Sequence, residues 1–169
     1  MSRQILAGLE ASRGGLADRP DKDRRLSAVL SRLARNYDIC FVDCSPSIGL
    51  LTYNALAAAT DVLIPVETSF FSLQGATKQV NTIRTLSKRL ESNAPYWLVA
   101  TIHEESSVLA RDLLEELRRR FAKRVAPDVI RRDPTLKEAA SFGQPIVEYA
   151  PTSNGAKDYG ALAEWLINT

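Results

Sequence analysis

The chain has 169 residues, of which 45% are apolar and 25% are charged, and its formal net charge is +2. This length predicts a single domain over residues 1–169, and the composition excludes a disordered chain or a disulfide scaffold. The sequence shows neither a signal peptide nor a run of about 20 apolar residues, so we expect a cytoplasmic protein that makes no use of a membrane.

Strands alternate with helices along the chain. Near-continuous apolar runs at residues 37–42, 61–66 and 96–102 predict strands that are covered on both faces. Apolar residues at helical spacing lie at residues 26–33, 80–90, 109–121 and 162–166. This alternation predicts an α/β fold with a doubly wound, mostly parallel sheet and helices on both faces. In such a sheet, ligands bind beyond the carboxyl ends of the strands.

Four side chains of reactive or aromatic type are best explained by packing. Cys40 and Cys44 lack the second Cys or His pair of a metal site, so we predict two buried, reduced thiols. Trp97 and Trp165 are predicted to be packing residues and not ligand platforms. His103 is the only histidine, and we predict that it lies on the surface at the end of a strand.

The residues after the first predicted strand carry the strongest chemical signal. Asp43 would lie at the carboxyl tip of that strand, and Gly49 would precede a helix. In phosphate-handling sites such an aspartate holds a Mg²⁺-bound water, and a glycine lets a backbone N–H approach a terminal phosphate. Alternatively, Ser45 or Ser47 caps the helix and Asp43 is merely exposed. The spacing alone favours neither interpretation.

Residues 37–59, which contain Asp43-Cys44-Ser45-Pro46-Ser47-Ile48-Gly49, resemble the Walker B and switch II segment of ParA/Soj-type partition ATPases. Ser45 replaces a proline that is typical of the family. The resemblance continues through residues 61–67, 70–75, 130–139, 143–147 and 155–159, and it covers roughly residues 37–168. It implies a P-loop NTPase fold and a protein of plasmid or chromosome partition.

The resemblance also implies roles for individual residues. Asp43 would hold Mg²⁺ through a water molecule, Gly49 would sense phosphate through its backbone, and Pro46 belongs to the same catalytic loop. The adenine of ATP would lie beside Arg132, Asp133 and Pro134. Basic side chains would bind DNA without sequence preference, and the candidates are Arg84, Lys88, Arg111, Arg118, Arg120 and Lys123. Their charge alone favours an ordinary solvated helix face.

Family membership further implies a homodimer, a centromere-binding (ParB-like) partner, ATP and Mg²⁺ as cofactors, and association with the nucleoid. However, the sequence contains no Lys-Gly-Gly-x-Gly-Lys-Thr P-loop. Without that loop the β- and γ-phosphates lack their cradle. We therefore expect the chain to match the C-terminal part of a truncated P-loop fold, to bind ATP and Mg²⁺ weakly by itself, and to hydrolyse no ATP alone.

Two other functions stay open on the sequence. One is a degenerate, non-enzymatic ParA-like module that binds DNA or a partner without nucleotide. The other is a MinD-like relative that positions a different cargo, since a fold does not fix a function.

Overall fold

A computed structural model describes residues 19–45, 49–69 and 72–169. The chain divides into two compact units, which we describe separately. The first contains the described residues up to Val62 together with residues 81–95, and the second contains residues 63–80 and 96–169. The elements in chain order are α1 (Arg25–Leu33), α2 (Leu50–Ala58), β1 (Val62–Glu67), α3 (Ser72–Leu90), β2 (Tyr96–Thr101), α4 (Val108–Phe121), a 3₁₀ turn (Ala122–Arg124), α5 (Thr135–Ser141), α6 (Ile146–Tyr149) and α7 (Asn154–Ile167).

Strand β2 pairs on both of its edges. Along one edge it forms a two-stranded sheet with β1, and the N–H of Thr68 donates to the carbonyl of Thr101 where the two strands end. Along the other edge, Leu98 and His103 form parallel bridges with Val125 and Arg131. The α/β class with a parallel sheet is therefore confirmed, and the strands predicted at residues 61–66 and 96–102 are found within one residue of those bounds.

The core of the second unit lies against β2 and the last helix. Val99, Ala126, Ile130 and Leu162 are buried together, and Trp165 packs against them. The Trp165 ring meets Trp97 edge to face, with 5.3 Å between the ring centroids. The prediction that both tryptophans serve packing is therefore confirmed, and α7 is held to the sheet by apolar contact.

A buried amide joins the two helices of the first unit. The Nδ2 of Asn54, in α2, donates to the carbonyls of Lys22 and Leu50 at 2.6 and 2.9 Å. Its Oδ1 accepts from the N–H of Leu26, in α1, at 3.1 Å. Because an unpaired buried amide would be costly, the bonds with Lys22 and Leu26 fix how α1 approaches α2.

The predicted strand at residues 37–42 is absent from the structure. This segment has no regular secondary structure, and Tyr37 and Phe41 are 67% and 77% exposed. A doubly covered strand needs partners along its edges and helices on its faces, and the described sheet pairs only β1, β2 and the bridging residues of segment 125–131. The apolar pattern predicts a buried strand, but burial also requires neighbouring strands and helices. The described residues provide none for this segment, so the prediction was wrong.

The cysteine prediction was wrong for the same reason. Cys40 and Cys44 are both exposed free thiols, because they belong to this uncovered segment. Partial burial and, secondarily, the neighbouring Asp43 raise the pKa of the Cys44 thiol. The raised pKa keeps Cys44 protonated at neutral pH and makes it a poor nucleophile.

Helix α4 ends in a strained residue. Ala122 has φ 44° and ψ −122°, a conformation that L-residues rarely adopt. We expect Ala122→Gly to raise the free energy of unfolding by about 1 kcal/mol, since glycine tolerates a positive φ. Urea denaturation measures this, with Ala163→Gly in the exposed middle of α7 as the control that should cost about 1 kcal/mol. A loss of stability in Ala122→Gly would show that the backbone at Ala122 is not strained.

Candidate functional site

Polar side chains of the second unit gather at the carboxyl ends of its strands. Thr68 follows β1, His103 follows β2, and Arg131 lies opposite His103 on the bridging segment. The Oγ1 of Thr68 lies 3.1 Å from Nδ1 of His103, and both residues are buried. This is the edge at which open α/β sheets bind their ligands.

His103 is buried, and our prediction of a surface histidine was wrong. It is 4% exposed, and its N–H donates to the carbonyl of Ile130 while its own carbonyl accepts from the N–H of Arg132. The sequence indicates that His103 follows a strand, but not that residues 130–132 would pair with it along the sheet. Burial lowers the pKa of the imidazole; the nearby carboxylate of Glu105 opposes this shift.

This lowered pKa predicts a loss of stability in mild acid. The neutral imidazole is favoured in the folded chain, whereas the unfolded chain takes up a proton below about pH 6.5. The free energy of unfolding should therefore fall as pH decreases from 7 towards the folded-state pKa. Urea denaturation from pH 8 to 5 measures the slope, and His103→Gln should remove it. An unchanged slope in the variant would contradict the assignment to His103.

Arg131 and Asp158 form the least exposed of the described ion pairs. The Nη2 of Arg131 lies 2.6 Å from Oδ1 of Asp158, and its Nε lies 3.0 Å from Oδ2. The backbone N–H of Arg131 also donates to Oδ2 at 2.9 Å. Burial of Asp158 opposes its ionisation, but the bonds from Arg131 outweigh burial and lower the pKa of the carboxyl. Asp158, on α7, thus fixes the course of the chain at residue 131.

Asp133 organises the next turn. Its Oδ1 accepts from the hydroxyl and the N–H of Thr135 at 2.6 and 3.0 Å, and its Oδ2 accepts from the N–H of Gly155 at 2.7 Å. The bond from the Thr135 hydroxyl, followed by that from the Gly155 amide, lowers the pKa of the carboxyl. One carboxylate therefore serves the first turns of both α5 and α7.

The other two predicted base contacts are exposed. The Arg132 guanidinium lies 3.3 Å from the Glu104 carboxylate, and both side chains are more than half exposed. Pro134 precedes α5 as its N-cap residue and is exposed. The structure thus brings Arg132, Asp133 and Pro134 together on one short segment. Two residues of α7 bind this segment: Asp158 bonds to Arg131, and Gly155 bonds to Asp133.

The predicted phosphate-side residues belong to the first unit. Asp43 is exposed in the irregular segment before α2, and Gly49 is the extended N-cap residue of that helix, with no side-chain cap. Pro46 lies outside the described residues. An exposed carboxylate oxygen is a ligand type that suits Mg²⁺, directly or through water. Within the described part of the chain, no cluster of three or more His, Cys, Asp or Glu residues could hold a metal ion.

The six basic candidates are all exposed. Arg84 and Lys88 lie one turn apart on α3, whereas Arg111, Arg118, Arg120 and Lys123 lie on α4 and the turn after it. The guanidinium of Arg111 donates to the carbonyl of Glu105, and that of Arg118 donates to the carbonyl of Pro127. Arg120 and Lys123 form no ion pair with any described residue, which leaves their charges available.

Known proteins match this sequence over most of its length. The AAA_31 family model, described as an AAA domain, matches residues 3–95. The sporulation initiation inhibitor protein Soj of Bacillus subtilis is 36% identical over 160 residues, which are 94% of this chain and 62% of that protein. The chromosome partitioning protein ParA of Myxococcus xanthus is 35% identical over 90% of this chain and 54% of its own length.

The chain belongs to the ParA/Soj-type partition ATPase family. The fold of this ParA/Soj family member is similar to a solved structure of cobyrinic acid a,c-diamide synthase from Mycobacterium smegmatis with bound ADP and magnesium. It superposes with a TM-score of 0.75 at 26% identity, over 96% of this chain and 58% of that one. The chain spans about 54 to 62% of the length of these relatives. Among the described helices of this ParA/Soj family member, none is long and apolar enough to cross a membrane.

Asp158 and His103 are the polar residues of this site whose roles the sequence did not suggest. Asp158 lies in a segment that resembles the family, residues 155–159, but its partner is 27 residues away along the chain. One signal was present: Asp158 lies four residues before Leu162, which places both on one face of α7, where a charge needs a partner.

Proposed function

We propose that the chain acts in ATP-dependent DNA segregation, as a ParA-like protein of plasmid or chromosome partition. The observation that carries this proposal is the 36% identity with Soj over 94% of the chain. The proposal includes a homodimer, a centromere-binding partner of the ParB type, and a cytoplasmic location at the nucleoid. The names of these relatives support a role in partition.

Nucleotide contacts are proposed separately for the two units. In the first unit, Asp43 would hold Mg²⁺ through water, while Gly49 and Pro46 would serve the phosphate-sensing loop. When bound, Mg²⁺ neutralises charge on the phosphate oxygens. The extended Gly49 supports this role, since no side chain caps the helix that follows it.

In the second unit, Arg132 and Pro134 would contact the adenine through their exposed side chains. The contribution of Asp133 would be indirect, because both of its carboxylate oxygens already accept hydrogen bonds from Thr135 and Gly155. Asp133 would therefore shape the segment and leave contact with the base to its neighbours.

The chain by itself is proposed to hydrolyse no ATP. The sequence holds no P-loop, whose amides and lysine cradle the phosphates and whose hydroxyl ligates Mg²⁺. Phosphate release can be measured with MgATP and duplex DNA present. No release above background is expected, and release that disappears in Asp43→Ala would contradict this part of the proposal.

Two exposed cations that form no ion pair with a described residue, Arg120 and Lys123, should contribute to DNA binding. We expect Arg120→Ala combined with Lys123→Ala to weaken binding to a random-sequence duplex and to lower the slope of log affinity against log salt by about 1.8, since each lost phosphate contact removes about 0.9. Fluorescence anisotropy between 50 and 200 mM salt, roughly the range in which such contacts respond, measures this slope. Arg119→Ala is the control, because Arg119 already pairs with Glu116. Equal slopes for the double variant and the control would contradict the assignment.

A non-enzymatic module that uses no nucleotide is the alternative function. Such a module would bind DNA or a partner identically with and without ATP. It would also work unchanged after Asp43→Ala, whereas the partition ATPase requires that carboxylate.

A further inference from the structure

An exposed aromatic ring is held rigidly at the end of α5. Phe142 is 70% exposed and directly precedes Gly143, whose φ is 65°. The N–H of Gly143 donates to the carbonyl of Ala140, and that of Gln144 donates to the carbonyl of Ala139. These two bonds form a Schellman cap, which fixes the backbone at Phe142.

A second ring fixes the side chain of Phe142. The rings of Phe142 and Tyr149 stack with centroids 5.6 Å apart and planes at 20°. Tyr149 lies on α6 and is half-buried, so it occupies one face of the Phe142 ring while the exposure of Phe142 leaves the other accessible to solvent. A large aromatic ring that faces water is the kind of anchor that recognition surfaces use.

Carboxylates lie beside this aromatic pair. The Tyr149 hydroxyl donates to Oε2 of Glu138 at 3.5 Å, so one carboxylate borders the stack. Glu148, the neighbour of Tyr149 in sequence, is also exposed. The negative charge argues against a nucleic acid as the ligand, since its phosphates would be repelled. It favours a cation that can also use an aromatic face.

We propose that Phe142, Tyr149 and Glu138 form a docking site for an arginine of a partner protein. The guanidinium lies over the open face of Phe142, and the nearby Glu138 carboxylate attracts its charge. Arginine suits this site because its planar, weakly hydrated cation stacks on aromatic rings. The proposal does not depend on nucleotide binding.

The test titrates the isotope-labelled chain with an acetylated, amidated peptide of sequence Leu-Arg-Leu-Arg and follows its NMR resonances. We expect saturable shifts at Phe142 and Tyr149, and none with a peptide that carries citrulline in place of arginine. Phe142→Ala should weaken binding at least about fivefold and Glu138→Gln about threefold, in line with cation–π and charged hydrogen-bond contributions. Val147→Ala is the matched control, because Val147 is a 56% exposed apolar residue of the same short helix.

Several results would overturn the proposal. Equal binding of the citrulline peptide, or equal losses in Val147→Ala and Phe142→Ala, would indicate nonspecific apolar contact. Shifts at these rings caused by duplex DNA, or by raising the protein concentration alone, would assign the surface to nucleic acid or to a second copy. If Phe142→Ala failed to fold, then Glu138→Gln with unchanged affinity would be sufficient to reject the site.

Discussion

Replacing Asp158 with alanine should lower the free energy of unfolding by about 3 kcal/mol, the range found when one partner of a buried ion pair is removed. Asp158 is 8% exposed, and it receives bonds from both the guanidinium and the backbone N–H of Arg131. The variant would leave the charge of Arg131 partly buried without its partner. It would also release segment 131–134, which carries the proposed adenine contacts.

Urea denaturation at pH 7 measures this change. Glu104→Ala is the matched control, because Glu104 forms an exposed ion pair with Arg132 and should cost less than about 1 kcal/mol. A loss in Asp158→Ala no greater than in this control would show that the pair contributes little and that α7 does not hold the segment.

Replacing Gly155 with valine should cost about 3 kcal/mol, at the upper end of typical overpacking. A Cβ at this position would lie 2.8 Å from Cγ and 2.9 Å from Cδ2 of Leu136, and 3.3 Å from the Asp133 carboxylate. The Leu136 side chain packs against the core, so it has little room to move. The clash would therefore push α7 away from α5 and strain the bond from the Gly155 amide to Asp133.

Alanine at the same position separates this clash from helix propensity. Gly155 lies in α7, where glycine to alanine would ordinarily stabilise by about 1 kcal/mol. We expect Gly155→Ala to be destabilising and Gly160→Ala to be stabilising, since nothing lies within 4 Å of a Cβ at Gly160 in the same helix. If both variants gained stability, the close approach of Leu136 would be ruled out.

Sequence patterns predicted the elements that bury their apolar residues locally. β1, β2 and α4 were predicted close to their observed bounds, because period-two and period-3.6 patterns are sufficient where the partners are present. The bounds of α1 were also predicted, although none of its residues is buried and Val29 and Leu33 are exposed. The pattern could not predict the exposed segment 37–42, since burial depends on neighbouring strands and not on the strand itself. For α7, only the last third was recognised, because the helix begins with Asn154 and Gly155, which are poor helix formers.

The candidate site was predictable in part. The resemblance to the family identified the segment 131–134, but it could not show that Asp133 is occupied by structural hydrogen bonds. Nor could it reveal Asp158 or the burial of His103, because both depend on residues 27 or more positions away that only the fold brings close. Long-range polar pairing of this kind leaves no local pattern in a single sequence.

The partition function is tested most directly in the cells that make the protein. Deleting its gene should raise the fraction of daughter cells that lack the chromosome or a resident plasmid. The wild-type gene should restore segregation, whereas the gene that carries Asp43→Ala, expressed at the same level, should not. Unchanged segregation after deletion would contradict a role in partition. Full rescue by Asp43→Ala would instead favour the nucleotide-independent module.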